Sequence, residues 1–367
     1  MSDVNTGGPA KASAAAQTAA IPRAGAPGYL RIATEEAFAT RAMLDLYRKL
    51  LASKSLDDPG FTSLWGFYLG SPSPRATATV ERLQDLGERR IADMDDTGID
   101  VQILSLTGPG VQVFDAATAN AVAHDSNDEL AAAIARYPQR YAGLAAAAPQ
   151  DPATAAKEIE RGVRKLGFKG VIINSHTHGE YLDDPKFWAI FEACEALDVP
   201  IYLHPQGLSK GLVTPFLEAG LDGAIYGFGV ETGLHLLRII VKGVFDRFPK
   251  LQIIVGHCGE ALPFWMYRMD YMHGATVASK RYDFLKPLKR KVSDYLRENV
   301  YVTNSGVAWE PAIMFCRQVL GADRVMYAMD YPYQFVKQEV VISDGLPLTP
   351  QEKKQYFQTN AERVFRL

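Results

Sequence analysis

Two imidazoles and two carboxylates, His204, His257, Glu35 and Asp330, each stand where a short β-rich run gives way to a loop. Imidazole with carboxylate is the donor set a protein offers a divalent metal, and a catalytic site leaves one coordination position open for water or substrate. Reading only the residues at the ends of such runs yields Glu35, Thr107, Asn174, His204, His257, Asn304 and Asp330. Any one of these alone reads as an ordinary satisfied strand-end residue. In a chain with only seven histidines, two of them falling among these positions beside two carboxylates point to metal-assisted chemistry. A second pattern, His176-Thr-His178, spells the His-x-His associated with zinc hydrolases. It leads into Gly179 after a different run and reads as loop or pocket wall. His124, His235 and His273 fall in helical or connecting sequence and read as structural.

Eight runs must position these groups. They are Tyr29–Thr34, Val101–Leu106, the weaker Tyr141–Ala146, Phe168–Ile173, Val199–Leu203, Leu251–Gly256, Asn299–Val302 and Val325–Met329. Each is near-continuously apolar and is followed by helical sequence, the pattern of a parallel sheet buried on both faces. Eight such units predict an α/β fold closed into a (β/α)8 TIM barrel, in which chemistry sits at the C-terminal strand ends. The alternative, an open doubly wound sheet, lacks a GxGxxG after the first strand. Helices are predicted over Thr118–Tyr137 with Thr118 as N-cap, over Asp151–Leu166 with Asp151 as N-cap, and over Asp184–Leu197. Insertions are expected after strand 1 and between strands 5 and 6. The first holds the aromatic stretch Phe61–Tyr68 and the Pro-rich Ser71–Arg75, which would sit over the barrel mouth.

The first 27 residues are rich in Ala, Gly, Pro, Ser and Thr and read as a disordered or loosely docked arm, leaving 28–367 as one catalytic domain. Net charge is −3 with no basic stripe, so neither nucleic acid nor an anionic membrane is expected as a partner. No run reaches the roughly 18 apolar residues of a membrane span. Cys194, Cys258 and Cys316 are odd in number and far apart, which fits a reducing, cytoplasmic setting.

A carboxylate after strand 1, histidines after strands 5 and 6 and Asp after strand 8 resemble the amidohydrolase superfamily. Gly256–Pro263 and Met329–Pro332 narrow the resemblance to its non-hydrolytic decarboxylases of γ-resorcylate, 2,3-dihydroxybenzoate and 5-carboxyvanillate. Leu30–Phe38, Ser63–Tyr68, Gly229–Gly233 and Thr303–Pro311 are most similar to the 5-carboxyvanillate group. The resemblance covers nearly all of Tyr29–Leu367. Many relatives carry His two residues after the strand 1 carboxylate. Here that position is Ala37, as in the 5-carboxyvanillate group.

The resemblance implies one divalent metal held by Glu35, His204 and Asp330, with no organic cofactor. Two carboxylates and one imidazole favour manganese, with zinc as the alternative. It implies nonoxidative decarboxylation of an ortho-hydroxybenzoate, most closely 5-carboxyvanillate to vanillate and CO2, by ring protonation and then C–C cleavage. Asp330 is the expected proton donor. His257 and Glu260 would tune that proton or hold the departing carboxylate. Arg75, Tyr333, Arg268, Thr107 and Phe228 are the expected substrate contacts, with Arg268 assigned to its own or a neighbouring subunit's pocket. A homodimer or homotetramer acting on a small aromatic acid follows from the same resemblance. The rivals are a decarboxylase of γ-resorcylate or 2,3-dihydroxybenzoate, a metal-dependent hydrolase of a lactone or amide, and a barrel retained as a scaffold.

Overall fold

The computed structural model describes residues 27–367. The expected arm therefore lies outside the described residues, except for Pro27. Eight strand positions follow one another in chain order. They are β1 Ile32–Phe38, β2 Val101–Leu106, β3 Tyr141–Gly143 with its continuation Ala145–Ala146, β4 Val171–Asn174, β5 Ile201–His204, β6 Ile253–Val255, β7 Val300–Thr303 and β8 Val325–Met326. Every paired neighbour is parallel. In β3 the first piece pairs with β2 and the second with β4. Leu144 N donating to Leu104 O and Ala145 N donating to Gly170 O carry the pairing across the break.

The ring closes between its ends. Thr34 N donates to Tyr327 O at 3.2 Å, and Ala37 N donates to Tyr331 O at 2.7 Å. This closure makes a barrel of what could have been an open sheet. Ile, Val and Leu fill the strands because helices cover the outside while side chains fill the inside.

Glu35 lies within β1 rather than beyond its end. Ala33 pairs with Gln102 and Glu36 with Leu104, so Thr34 and Glu35 together face the single residue Ile103. The extra residue is a β-bulge, a device that re-aims a side chain and bends its strand. The result is two adjacent buried carboxylates, Glu35 and Glu36, with separate sets of partners.

The insertion after β1 forms four helices, Arg41–Ser53, Pro59–Gly70, Pro74–Leu83 and Glu88–Thr97. Local chemistry starts them. The Thr40 hydroxyl accepts from Met43 N, the Asp58 carboxylate accepts from Phe61 N, and Pro occupies the first turn of the second and third. Trp65 is fully buried and donates to Gly108 O at 3.1 Å, which pins the insertion to the loop after β2.

The helix expected to begin at Thr118 runs Ala116–Arg136 and is capped by Asp115, whose carboxylate accepts from Thr118 N. The cap lies at Asp115 rather than Thr118, because the Thr118 hydroxyl donates back to the Asp115 carboxylate. Asp151 caps Pro152–Leu166 as expected. The expected helix Asp184–Leu197 is a 3-10 turn Pro185–Phe187 leading into Trp188–Leu197. Among the described residues no helix is long and apolar enough to cross a membrane.

Candidate active site

Glu35 is the floor of the site. Its Oε2 accepts from the Tyr202 hydroxyl of β5 and from Thr303 Oγ1 of β7 at 3.0 Å. Its Oε1 is buried and has no hydrogen-bond partner. A buried carboxylate oxygen without a partner is costly, so this one is prepared for a ligand or cation. Gly256 makes the room. A Cβ there would come within 2.8 Å of Oε1 and closer still to Oε2.

Two imidazoles face the bare oxygen. His204 Nδ1 lies 2.7 Å from Pro205 O, and a carbonyl can only accept, so Nδ1 carries the proton. The other nitrogen, Nε2, then presents a lone pair to Glu35 Oε1 at 3.4 Å. Burial lowers the pKa of His204, which keeps this lone pair free. Two acceptors pointed at each other need a positive centre between them. Donors each about 2.1 Å from one ion stand roughly 3.0–3.4 Å apart, so the spacing fits a shared divalent cation. Among the described residues no three His, Cys, Asp or Glu side chains close into a ready-made cage.

His257 faces the same oxygen from the loop after β6. Its Nδ1 is 2.8 Å from Glu260 Oε1 and its Nε2 is 3.6 Å from Glu35 Oε1. Burial lowers its pKa, but Glu260, Glu35 and Asp330 outweigh this and push it up to about 10. Asp330 lies four residues beyond β8 with φ +69, a left-handed conformation that Asp tolerates better than most residues. Burial, then Glu35, push its carboxyl up to about 8. Asp330 and His257 meet at Gly306, where an added Cβ would lie 3.4 Å from Asp330 Oδ2 and 3.3 Å from His257 Cδ2.

His204, His257 and Asp330 line one pocket with an empty volume of about 710 Å³, together with Arg75, Thr107, Phe228 and Tyr333. Seven of the expected site residues thus share one cavity, with Glu35 beneath it and Glu260 behind His257. Arg75 reaches the rim from the first turn of Pro74–Leu83, and its Nη2 is 3.4 Å from Tyr333 O. Tyr333 and Thr107 join hydroxyl to hydroxyl at 2.5 Å.

The structure does not bring Arg268 to this pocket. It is exposed on the helix Leu262–Ala278, on the outer surface of its own chain. His176 and His178 also lie elsewhere and hold loops, His176 Nε2 at Gly207 O and His178 Nε2 at Phe114 O, each 3.0 Å.

Sequence reasoning missed Tyr202, Thr303, Gly256, Tyr68 and Gln334. Tyr202 and Thr303 read as plain strand residues, and nothing local marks a hydroxyl aimed into a barrel. Tyr68 ended the aromatic stretch placed over the mouth. It packs edge-to-face on Tyr333 at 5.4 Å, and that stretch was its signal.

Known proteins extend this picture. A family model described as amidohydrolase matches residues 75–367. A γ-resorcylate decarboxylase from Polaromonas sp. (strain JS666) is 35% identical over 345 residues, covering 92% of this chain and 98% of its own. The crystal structure of 5-carboxyvanillate decarboxylase from Novosphingobium aromaticivorans, complexed with manganese and 4-hydroxy-3-methoxy-5-nitrobenzoic acid, is 58% identical with a TM-score of 0.92. It covers 96% of this chain and 100% of its own. The 5-carboxyvanillate decarboxylase of Sphingomonas paucimobilis is 41% identical with a TM-score of 0.87, at 93% and 100% coverage. The chain belongs to the amidohydrolase family, in the group that includes the γ-resorcylate and 5-carboxyvanillate decarboxylases.

Proposed function

We propose that this protein is a carboxy-lyase that removes CO2 from 5-carboxyvanillate to leave vanillate, with one divalent metal ion and no organic cofactor. The observation that carries the reading is the bare Glu35 Oε1, facing His204 and His257 beneath a pocket walled by Tyr68, Phe228 and Tyr333 with Arg75 at its rim. The relatives at 58% and 41% identity are 5-carboxyvanillate decarboxylases, against 35% for the γ-resorcylate enzyme, which favours the former substrate.

Glu35, His204 and Asp330 would hold the ion. Two carboxylates and one imidazole suit manganese better than zinc, and the Novosphingobium enzyme was crystallised with manganese. When bound, the ion supplies a Lewis acid and a template for a phenolate with its neighbouring carboxylate. Asp330 holds the proton that goes to the ring carbon bearing the departing carboxylate. The ring becomes a dienone and avoids a free aryl carbanion. The C–C bond then breaks, its electron pair restores the aromatic ring, and CO2 leaves. His257, steadied by Glu260, faces the same point and balances the carboxylate charge. The test is direct. Purified protein with Mn2+ should release equimolar vanillate and CO2 from 5-carboxyvanillate. Turnover of γ-resorcylate or of a lactone in its place would overturn the assignment.

Arg75 is the proposed clamp for the carboxylate that stays on the ring. Arg75→Ala should raise KM for 5-carboxyvanillate by about 10–100-fold, the worth of a charged hydrogen bond. A mono-acid substrate should be affected far less, and steady-state kinetics on the two acids separates the outcomes.

Self-association is part of the reading. The helix Leu262–Ala278 exposes Phe264 at 73% and Tyr267 at 85%, with Trp265 and Tyr271 beside them. A patch this apolar on a lone chain favours burial against another copy. Arg268 stands on the same face, where it could serve a neighbour's pocket rather than its own. Light scattering on the eluting protein should give a mass of two or four chains. A single-chain mass would remove both the oligomer and the role of Arg268.

A further inference from the structure

The residue beside the bulge, Glu36, takes no part in the pocket, yet its carboxylate touches both neighbours of Asp330. Oε1 accepts from Met329 N at 2.9 Å, and Oε2 accepts from Tyr331 N at 3.3 Å. The side chain is fully buried, in contrast to the surface position where a Glu ordinarily sits. Gln102 of β2 donates to Oε2 at 3.3 Å, and the buried Arg90 donates to Gln102 Oε1 at 3.3 Å. Arg90 also covers the Tyr331 ring at 4.5 Å, while the Tyr331 hydroxyl donates to Asp93. Both sides of Asp330 are therefore bolted down, and among the described residues one side chain, Glu36, accepts from both backbone N–H groups.

We infer that Glu36 is a positioning residue, a two-pronged clamp that fixes the Met329–Tyr331 backbone and so holds Asp330 in its left-handed conformation, aimed at the metal position. The bulge explains why the chain carries two adjacent acids. Glu35 is turned toward the pocket, and Glu36 is turned to the far end of the barrel closure. Burial pushes the Glu36 carboxyl up to about 8 against the pull of the Met329 N–H. Either protonation state keeps acceptor lone pairs on both oxygens, so the clamp does not depend on its charge.

The inference rests on the proposed role of Asp330 as a metal donor, and the test keeps the two apart by reading metal binding without substrate. Mn2+ is titrated into the cation-free protein, and free Mn2+ is followed by electron paramagnetic resonance, with melting in chelator as the stability control. Glu36→Gln replaces one acceptor by an NH2 that confronts a backbone N–H. Loss of such a supporting contact should weaken Mn2+ binding about 10–100-fold. Lower melting with Mn2+ affinity within threefold of the unaltered protein would mean that Glu36 is merely structural. If Glu36→Gln fails to fold, Gln102→Met removes one donor to the clamp and should weaken binding about 2–10-fold. Unchanged affinity there overturns the clamp as well. If the unaltered protein binds no stoichiometric Mn2+, the metal reading itself fails, and with it the basis of the inference.

Discussion

Asp330→Asn is expected to lower kcat by about 10²–10⁴-fold, the contribution of a positioned proton donor, while the protein remains folded. Three features combine here. Burial, then Glu35, push the Asp330 carboxyl up to about 8, so at neutral pH the cation-free chain holds a proton facing the pocket. The backbone at φ +69 is one that Asn adopts as readily as Asp, so the substitution adds no strain. The amide keeps an oxygen where the carboxylate had one but has no acidic proton to give. Rapid-quench measurement of CO2 release, beside a melting curve and bound-metal analysis, separates the possibilities. Less than a tenfold loss in kcat with metal retained would mean that the ring proton comes from elsewhere, and His257 would be the next donor to replace. A loss explained by absent metal would assign Asp330 to holding the ion and leave the donor open.

How far the site was legible depended on where its residues sit relative to strand ends. His204 and His257 were readable because an apolar run stops directly before each of them. Asp330 was readable although β8 pairs only over Val325–Met326, because Tyr327–Met329 continue buried against β1 and keep the apolar signal going. Glu35 is legible for an incomplete reason. The apolar run stops at Thr34, but the strand goes on to Phe38, and the polar residue marks a bulge instead of an end. Bulges depend on the register of the partner strand, which one strand's pattern does not carry. The same holds for Tyr202 and Thr303. Each is an unremarkable strand residue until closure of the barrel brings the hydroxyls of β5 and β7 together on Glu35 Oε2. Glu36 carries no local signal, because two of its partners are backbone N–H groups some 290 residues away in sequence. Arg268 shows the opposite failure. Its place on a helix is readable, but that helix holds it exposed on the surface, away from the pocket of its own chain.

Gly256→Ala should weaken Mn2+ binding by at least about 100-fold and lower kcat/KM by a similar factor, although the residue neither binds metal nor touches substrate. The backbone at Gly256, φ −69 and ψ −170, is extended and open to any residue, so the expected effect owes nothing to conformational freedom. It is one of space. The new methyl would lie within 2.8 Å of Glu35 Oε1 and nearer to Oε2, well inside van der Waals contact. Oε2 is tied to Tyr202 and Thr303 and has little room to retreat. Either the carboxylate swings away from His204, or β6 moves away from β1. The first loses the metal donor. Overpacking of the second kind costs about 1–3 kcal/mol and displaces His257, which follows directly in the chain. A displacement of about 1 Å is enough for a hundredfold loss in rate. The two routes differ in the chelated protein. A swung carboxylate leaves melting nearly unchanged, whereas separated strands lower it. Adding Glu35→Asp shortens the acid and relieves the overlap, so the double variant should melt higher than the sum of the single effects predicts. Full metal occupancy and unaltered kcat/KM in Gly256→Ala would mean that Glu35 does not hold the ion through the oxygen left bare between the two histidines.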